Sequence, residues 1–121
     1  MPAFSSTDLE QFVAEDPTGP VVMLNLIRFA PGGAQKYLQY IERFDSSGVK
    51  ERYGVTVVYG GTGHPSLVGA EGGDWDMVGL FRYPNRQHFV DMINDPDYQE
   101  FEHLRSEAVT AVVLQPTTPA L

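Results

Sequence analysis

The sequence predicts an α+β fold, in which a four-stranded antiparallel sheet carries its main helices on one face. Residues 21–29 (VVMLNLIRF) and 75–83 (WDMVGLFRY) are rich in β-branched and aromatic residues and largely apolar on both faces, as buried strands are. An amphipathic helical pattern follows each of them. After a first short helix, the order is strand, helix, strand, strand, helix, strand, which is the split βαβ or ferredoxin-like pattern.

The first 20 residues predict an extension that contains one short helix. Thr7 and Glu10 have the spacing of a capping box, and the apolar residues after them favour a helix over 7–15. Asp16 and Pro17 then end this helix. We divide a single predicted domain (1–121) into an N-terminal helix extension (1–20), a ferredoxin-like core (21–116) and a tail (117–121).

The first half of the core predicts a strand and a long helix. After the strand, a turn at 31–33 leads to a helix whose apolar residues recur at i, i+3, i+4 and i+7. Residues 46–48 weaken this helix, which bends or restarts before Gly54 ends it in a left-handed conformation. The apolar positions are Tyr37, Tyr40, Ile41 and Phe44.

The second half of the core predicts two strands, two helices and a last strand. The glycines at 60, 61 and 63 indicate a bulge or loop within the first of these strands. Asn85 is a helix cap, and the Asp95–Pro96 step starts the following helix. The predicted ranges are strand 55–59 resuming at 66–69, turn 71–74, strand 75–83, helices 86–94 and 96–105, and strand 108–114.

The composition excludes several classes of function. Against 8 basic residues the chain has 16 acidic ones, and its net charge of -8 repels phosphate backbones and anionic lipid. We therefore expect neither a nucleic acid nor a membrane as partner. The absence of cysteine excludes disulfides, cysteine-ligated zinc and a thiol nucleophile. The N-terminus resembles neither a signal peptide nor an anchor, so we expect a cytoplasmic location.

The apolar character of both strand faces predicts a homodimer. The predicted helices cover only one face of the sheet, and the other face would expose more apolar surface than a soluble monomer usually does. A second copy of the sheet covers this face most simply, at the spacing of ~10 Å that stacked sheets adopt.

Several short motifs occur in an order and spacing that resemble one protein family. Together they span about residues 21–116 and are similar to the bacterial family numbered thirteen-thirty among the domains of unknown function. This family resembles a branch of the dimeric α/β-barrel superfamily. The motifs are Leu-Asn at 24–25, GAQKYLQY at 33–40, Trp-Asp at 75–76, Arg-Tyr-Pro at 82–84, and MINDPDY at 92–98 with an arginine at 105.

The resemblance implies a homodimer and a ligand cleft between the helices and the sheet. The superfamily includes cofactor-independent monooxygenases of polyketide quinones, haem-degrading enzymes, muconolactone isomerases and proteins that only bind a ligand. It therefore implies the fold without fixing the chemistry. The helix before Val21 departs from the core pattern, and whether it covers a barrel end or the mouth of the cleft stays open.

Polar residues on two strands are candidates for this cleft. Asn25 shares a strand face with Met23, so its amide either binds a carbonyl or phenol or satisfies a backbone group. Trp75 is either a stacking wall for a planar ligand or a packing residue. Asp76 and Arg82 point away from Trp75. They either pair with another strand or subunit, or the arginine holds a substrate carboxylate or enolate.

Further candidates lie on the loops and helices. His64 follows three glycines, where an imidazole can act as an acid or base. Tyr98 and Arg105 lie on one side of the last predicted helix and Met92 faces inward from the helix before it, a set that suits an aromatic or oxygenated acid. The histidines at 64, 88 and 103 lack metal-ligand spacing, so we expect no metal. A haem ligand among them remains an alternative that the resemblance implies.

Two functional hypotheses follow. The first is a homodimeric enzyme without a permanent cofactor, in which Asn25 and an arginine stabilise an enolate while a histidine or tyrosine moves the proton. Monooxygenation of a phenol and isomerisation or cyclisation of an unsaturated acid both fit. The second is a non-catalytic dimer that binds a small metabolite. The candidate residues are Asn25, His64, Arg82 and Arg105 for catalysis, and Trp75, Asp76, Met92 and Tyr98 for ligand binding.

Overall fold

The structure, a computed structural model, describes residues 4–69 and 73–120. Within these ranges no helix is long and apolar enough to cross a bilayer. The elements are α1 (Ser6–Glu15), β1 (Val21–Phe29), α2 (Gly33–Ser46), α3 (Val49–Arg52), β2 (Thr56–Thr62), β3 (Met77–Tyr83), α4 (Arg86–Ile93), α5 (Pro96–Gln99), α6 (Glu102–Ala108) and β4 (Val109–Thr117).

The strands form one antiparallel four-stranded sheet in the order β2-β3-β1-β4. Because β1 pairs with both β3 and β4, Asn25 lies opposite Gly79 on one side and Leu114 on the other. Every second residue of β1 from Val21 to Ile27 is buried, and the residues between them are half-buried. The predicted α+β, ferredoxin-like arrangement with an extra N-terminal helix is therefore confirmed.

Aromatic rings fill the space between α2 and the sheet. Tyr37, Tyr40 and Phe44 are buried along one side of α2, as their spacing predicts. The ring of Tyr40 packs with its centroid 5.8 Å from that of Phe101, which is completely buried. Burying one such side chain stabilises the fold by about 1.5–3 kcal/mol, so this cluster holds α2 against the sheet.

The helix boundaries confirm one prediction and correct another. Gly48, with a φ of 84°, separates α2 from α3, and Gly54 adopts the left-handed conformation expected of it, with a φ of 65°. The capping box at Thr7 and Glu10 is wrong. Ser5 is the N-cap of α1, and its hydroxyl accepts a hydrogen bond from the amide of Asp8 at 3.0 Å.

The region between β2 and β3 also differs from the prediction. β2 continues through the glycines to Thr62, and its register shift lies between Val57 and Tyr59. Residues 66–69 form no strand, since the amide of Ser66 donates to the carboxylate of Asp74 at 2.8 Å. Accordingly β3 begins at 77 rather than 75. Of the predicted turn at 71–74, residues 71 and 72 lie outside the described residues.

The C-terminal half contains a break that the sequence pattern did not predict. The helix predicted to run to about residue 105 is interrupted after Gln99, and α6 begins at Glu102. β4 continues beyond the predicted end at 114, through Pro116 to Thr117. Because β4 is an edge strand, the missing N–H of Pro116 leaves no partner strand without a hydrogen bond. At the end of β4, the hydroxyl of Thr117 donates to the carbonyl of Val22 at 2.7 Å.

A substitution at Gly33 tests the contact between α2 and the C-terminal end of α6. A Cβ at Gly33 would lie 2.0 Å from the carbonyl oxygen of Ala108, a backbone atom that already accepts a hydrogen bond from the amide of Ala30. We expect Gly33→Ala to lower the free energy of unfolding by about 2 kcal/mol or more, measured by urea denaturation. Gly60→Ala is the control, because a Cβ there meets no atom within 4 Å and should leave stability near wild type.

Candidate functional site

A cavity of about 350 Å³ lies between the sheet and the helices. Its volume falls within the roughly 300–1,000 Å³ typical of small-molecule sites. Most of its wall is aromatic or aliphatic, and a smaller part is polar. The polar side chains used below are Asn25, Tyr37, Tyr40, Tyr98, Glu102 and Arg105.

A buried arginine and a buried amide meet in the polar part of the cavity. Nη2 of Arg105 donates to Oδ1 of Asn25 at 2.9 Å, and the two residues are only 4% and 7% exposed. Nδ2 of Asn25 donates to the carbonyl of Met23 at 3.3 Å, which fixes the orientation of the amide. Since an arginine side chain stays protonated in proteins, the site holds a permanent positive charge.

Tyrosine hydroxyls surround this charge. The hydroxyls of Tyr40 and Tyr98 are 3.0 Å apart, and the hydroxyl of Tyr37 accepts a hydrogen bond from Arg105. Burial raises the pKa of Tyr98 to about 12 and holds that of Tyr40 well above its ordinary value, whereas the charge of Arg105 acts in the opposite direction on both. Burial likewise raises the pKa of Tyr37. At neutral pH these phenols are therefore hydrogen-bond donors and not bases.

A carboxylate also reaches the cavity. Glu102 lines it from the first turn of α6 and is half-buried. Because Glu102 and Arg105 are three residues apart on one helix, both side chains lie on the same side of it. The polar part of the cavity thus combines a cation, neutral donors and a group that can accept a proton.

The structure gathers half of the predicted site residues around this cavity. Asn25 reaches it from β1, Met92 from α4, Tyr98 from α5 and Arg105 from α6. The seven-residue spacing of Tyr98 and Arg105 does not reflect one continuous helix. The two side chains line the same cavity because Tyr98 of α5 packs against Tyr40 of α2, and Arg105 of α6 bonds to Asn25 of β1.

The other predicted site residues lie outside the cavity lining. His64 is exposed in the segment after β2, and Arg82 is exposed on the sheet face that no helix covers. The guanidinium of Arg28 lies over Trp75, 4.8 Å from the centre of the tryptophan ring. The carboxylate of Asp76 accepts a hydrogen bond from the amide of Phe29 at 2.8 Å. Their functional roles stay predictions.

Sequence reasoning missed other residues of the site. Tyr37 and Tyr40 were predicted to pack against the sheet, and their hydroxyls gave no signal because helical spacing does not distinguish packing from lining a cavity. Glu102 carried a weak signal, its spacing of three from Arg105. Phe4 carried none, because nothing in the sequence indicates where the N-terminal segment packs.

The fold and the site together define a class of protein, an α+β domain with a ferredoxin-like arrangement and a cavity between the helices and the sheet. Two structures of low identity share this fold. A hydroxynitrile lyase from Passiflora edulis is 13% identical (TM-score 0.64, covering 86% of this chain and 96% of that one). A candidate antibiotic biosynthesis monooxygenase from Bacteroides thetaiotaomicron is 20% identical (TM-score 0.59, covering 85% and 91%).

A closer relative gives the family. The crystal structure of a protein of unknown function from Rhodopseudomonas palustris, RPA0582, is 35% identical with a TM-score of 0.83, and covers 98% of this chain and 96% of that one. The chain belongs to the same family as RPA0582. No family model and no curated protein matches the sequence, so the resemblance to family thirteen-thirty stays a prediction.

The buried tyrosines predict a loss of stability in alkali. The raised pKa of Tyr98 means that the folded protein holds this proton more tightly than the unfolded chain. This difference contributes about 2–3 kcal/mol to the free energy of unfolding. The contribution is fully present below pH ~10 and is lost as the pH rises toward ~12. We expect Tyr98→Phe to lower the free energy of unfolding by about 1 kcal/mol at neutral pH, because the hydrogen bond to Tyr40 is lost. The free energy of unfolding of this variant should then fall less at alkaline pH than that of the wild type.

Urea denaturation at a series of pH values measures this. Tyr59→Phe is the control, because Tyr59 is 55% exposed and should behave like the wild type. An alkaline decrease of equal size in Tyr98→Phe and the wild type would contradict the assignment.

Proposed function

We propose that the protein is a homodimeric enzyme, without a permanent cofactor, that acts on a small, planar, oxygenated molecule. The observation that carries this proposal is the buried pair of Arg105 and Asn25 in the wall of an otherwise largely apolar cavity. A guanidinium and an amide both donate hydrogen bonds, and in a dry site such donors stabilise an oxygen on which negative charge develops. The substrate oxygen would therefore become an enolate or phenolate.

The walls of the cavity favour a flat ring system. Tyr37, Tyr40, Phe81 and Phe89 line it, and aromatic faces stack well on planar ligands. The volume suits a molecule of one to three rings.

Glu102 is the proton acceptor in this proposal. The first hypothesis gave this role to a histidine or tyrosine. However, none of His64, His88 and His103 lines the cavity within the described residues, and the phenols are held neutral. Glu102 would remove a proton from the substrate, and Arg105 would stabilise the anion formed.

Two reaction types begin from that anion. In an isomerisation, Glu102 returns the proton to a different carbon. In a monooxygenation, dioxygen is the co-reactant: a CH₂ group becomes a carbonyl, and the second oxygen atom leaves as water. The hydroxynitrile lyase and the candidate monooxygenase share only the fold, so they support its suitability for small-molecule chemistry without selecting a reaction.

One observation favours a second candidate, a non-catalytic binding protein. Asn25 and Arg105 already bond to each other, and the amide also donates to Met23, so the pair is satisfied without a ligand. Under this alternative the same cavity holds an anionic metabolite and Glu102 has no chemical role. The cytoplasmic location and the lack of a nucleic acid partner stay predictions in both cases.

The homodimer rests on the open face of the sheet. Leu24 and Leu26 of β1 are half-buried on this face, and their neighbours across the strands are aliphatic except for Gln115, which lies opposite Leu24 in β4. Leu24 lies opposite Leu80, and Leu26 lies opposite Val78 and Val113. This continuous apolar patch fits a second copy of the sheet, as in the dimeric barrels that the fold resembles.

Binding of 4-nitrophenol tests the oxyanion site, because its neutral and ionised forms absorb at different wavelengths. If Arg105 and Asn25 stabilise an anionic oxygen, the bound probe should ionise at least one pH unit below the free probe, equivalent to about 1.4 kcal/mol. Arg105→Met should remove this difference. Replacing a buried ion by an apolar residue of similar volume is often tolerated, and a thermal melt checks the fold.

Arg82→Met is the matched control, since Arg82 is the exposed arginine that the sequence also nominates. The proposed site would be overturned if the probe bound only in its neutral form. It would also be overturned if Arg82→Met, and not Arg105→Met, removed the lowered ionisation pH of the bound probe. Glu102→Gln should leave the ionisation of the bound probe lowered, because the glutamine keeps the shape and removes only the proton acceptor.

A charge placed on the open face tests the dimer. We expect the wild type to sediment as two chains at micromolar concentration, and Leu24→Lys to sediment as one, because a lysine there would be buried unpaired between two sheets. Leu38→Lys is the control, since Leu38 is 60% exposed on the outer side of α2. A wild type that sediments as one chain would contradict the homodimer.

A further inference from the structure

Helix α1, together with Phe4 just before it, closes one end of the cavity; Phe4 and Leu9 are called the α1 wall. Phe4 and Leu9 line the cavity wall. The ring of Phe4 meets Phe89 edge-on at 6.0 Å, and Phe89 in turn packs at 90° to Tyr83 at 5.2 Å. The N-terminal helix is therefore part of the site, although it lies outside the ferredoxin-like core.

This end lies at a different strand position from the buried charge. Tyr83 is opposite Val21 at the start of β1, whereas the partner of Arg105 is Asn25. The backbones of Val21 and Asn25 are four residues apart, or ~13 Å along the strand, although the phenol of Tyr83 still interacts with the charge of Arg105. A ligand whose oxygen lies against Arg105 would extend its apolar end toward Phe4 and Leu9.

The α1 wall is packed loosely. None of the residues of α1 is fully buried. A second hollow of about 400 Å³ lies between α1 and α4, and Leu9 lines both this hollow and the main cavity. The contact between α1 and α4 therefore leaves space next to Leu9.

The fixed contacts of α1 lie toward its C-terminal end. The guanidinium of Arg86 lies 4.7 Å from the ring centre of Phe12, and its Nη1 donates to the carbonyl of Phe12 at 3.0 Å. The same atom is 3.5 Å from the carboxylate of Glu15. Phe4 and Leu9 precede these contacts, so shortening either side chain leaves the contacts of Arg86 with Phe12 and Glu15 in place.

We propose that α1 is the specificity wall of the cavity, and that Phe4 and Leu9 set the length of the ring system that the site accepts. The inference rests on the proposed function, because it requires an anionic oxygen held at Arg105. The ligand class is a planar aromatic anion with its charge at one end and an apolar edge at the other. Shortening Leu9 or Phe4 should admit a longer ring system.

Two carboxylates of different length test this inference, 2-naphthoate with two rings and anthracene-2-carboxylate with three. Fluorescence titration gives the Kd of each for the wild type, Leu9→Ala, Phe4→Ala and Val13→Ala. We expect Leu9→Ala and Phe4→Ala to improve the Kd ratio in favour of the three-ring anion by about tenfold, the lower end of what a few methylene groups decide in an apolar pocket. Val13→Ala should leave the ratio unchanged, because Val13 lines only the second hollow.

The possible failures are distinguishable. If both anions bind in a manner that requires Arg105, yet Leu9→Ala and Phe4→Ala leave the ratio unchanged, α1 is not the specificity wall and the proposed function stands. If neither anion binds the wild type, or if Arg105→Met leaves both Kd values unchanged, the proposed function fails and the inference fails with it. An equal change of ratio in Val13→Ala would show a general loosening of α1 and would also overturn the inference.

Discussion

The hydrogen bond between Arg105 and Asn25 is the constraint that organises this structure. It joins residues 80 positions apart and requires α6 to lie directly over the middle of β1. Burying an arginine costs several kcal/mol of lost hydration, whereas a hydrogen bond to a charged group contributes about 1.5–3 kcal/mol. The hydrogen bonds that Arg105 donates to Asn25 and Tyr37 offset part of this cost.

The surroundings of the charge decide what it can hold. The chain carries a net charge of -8, whereas the buried wall of the cavity carries one guanidinium among tyrosines that remain protonated, and the half-buried carboxylate of Glu102 also lines it. In a medium of low dielectric constant the local cation outweighs acidic groups on the distant surface, which water and salt screen. A cavity in an acidic protein can thus attract anions, and in the proposed mechanism Glu102 removes the proton.

The sequence predicted the fold well because two periodicities are strong in it. Few other folds fit a strand at 21–29 that is apolar on both faces, followed by a helix whose apolar side includes Tyr37 and Tyr40. The Asp95–Pro96 step marks the start of a helix unambiguously. The site was only partly predictable. Asn25 stood out because a polar residue in an apolar stripe breaks a pattern, whereas a tyrosine that lines a cavity has the same spacing as one in a core. Arg82 and Arg105 were equivalent in the sequence, and only the chain path separates the exposed one from the buried one.

The absence of any connecting residue between α6 and β4 has a consequence for how this family can vary. α6 ends at Ala108 and β4 begins at Val109, so the helix that carries the guanidinium is rigidly continuous with an edge strand. One inserted or deleted residue between 105 and 109 would turn the guanidinium by about 100° around the helix axis, or exchange the two faces of the strand. Length changes among related chains should therefore accumulate in the connection between β2 and β3, and the spacing from the arginine to the last strand should stay constant.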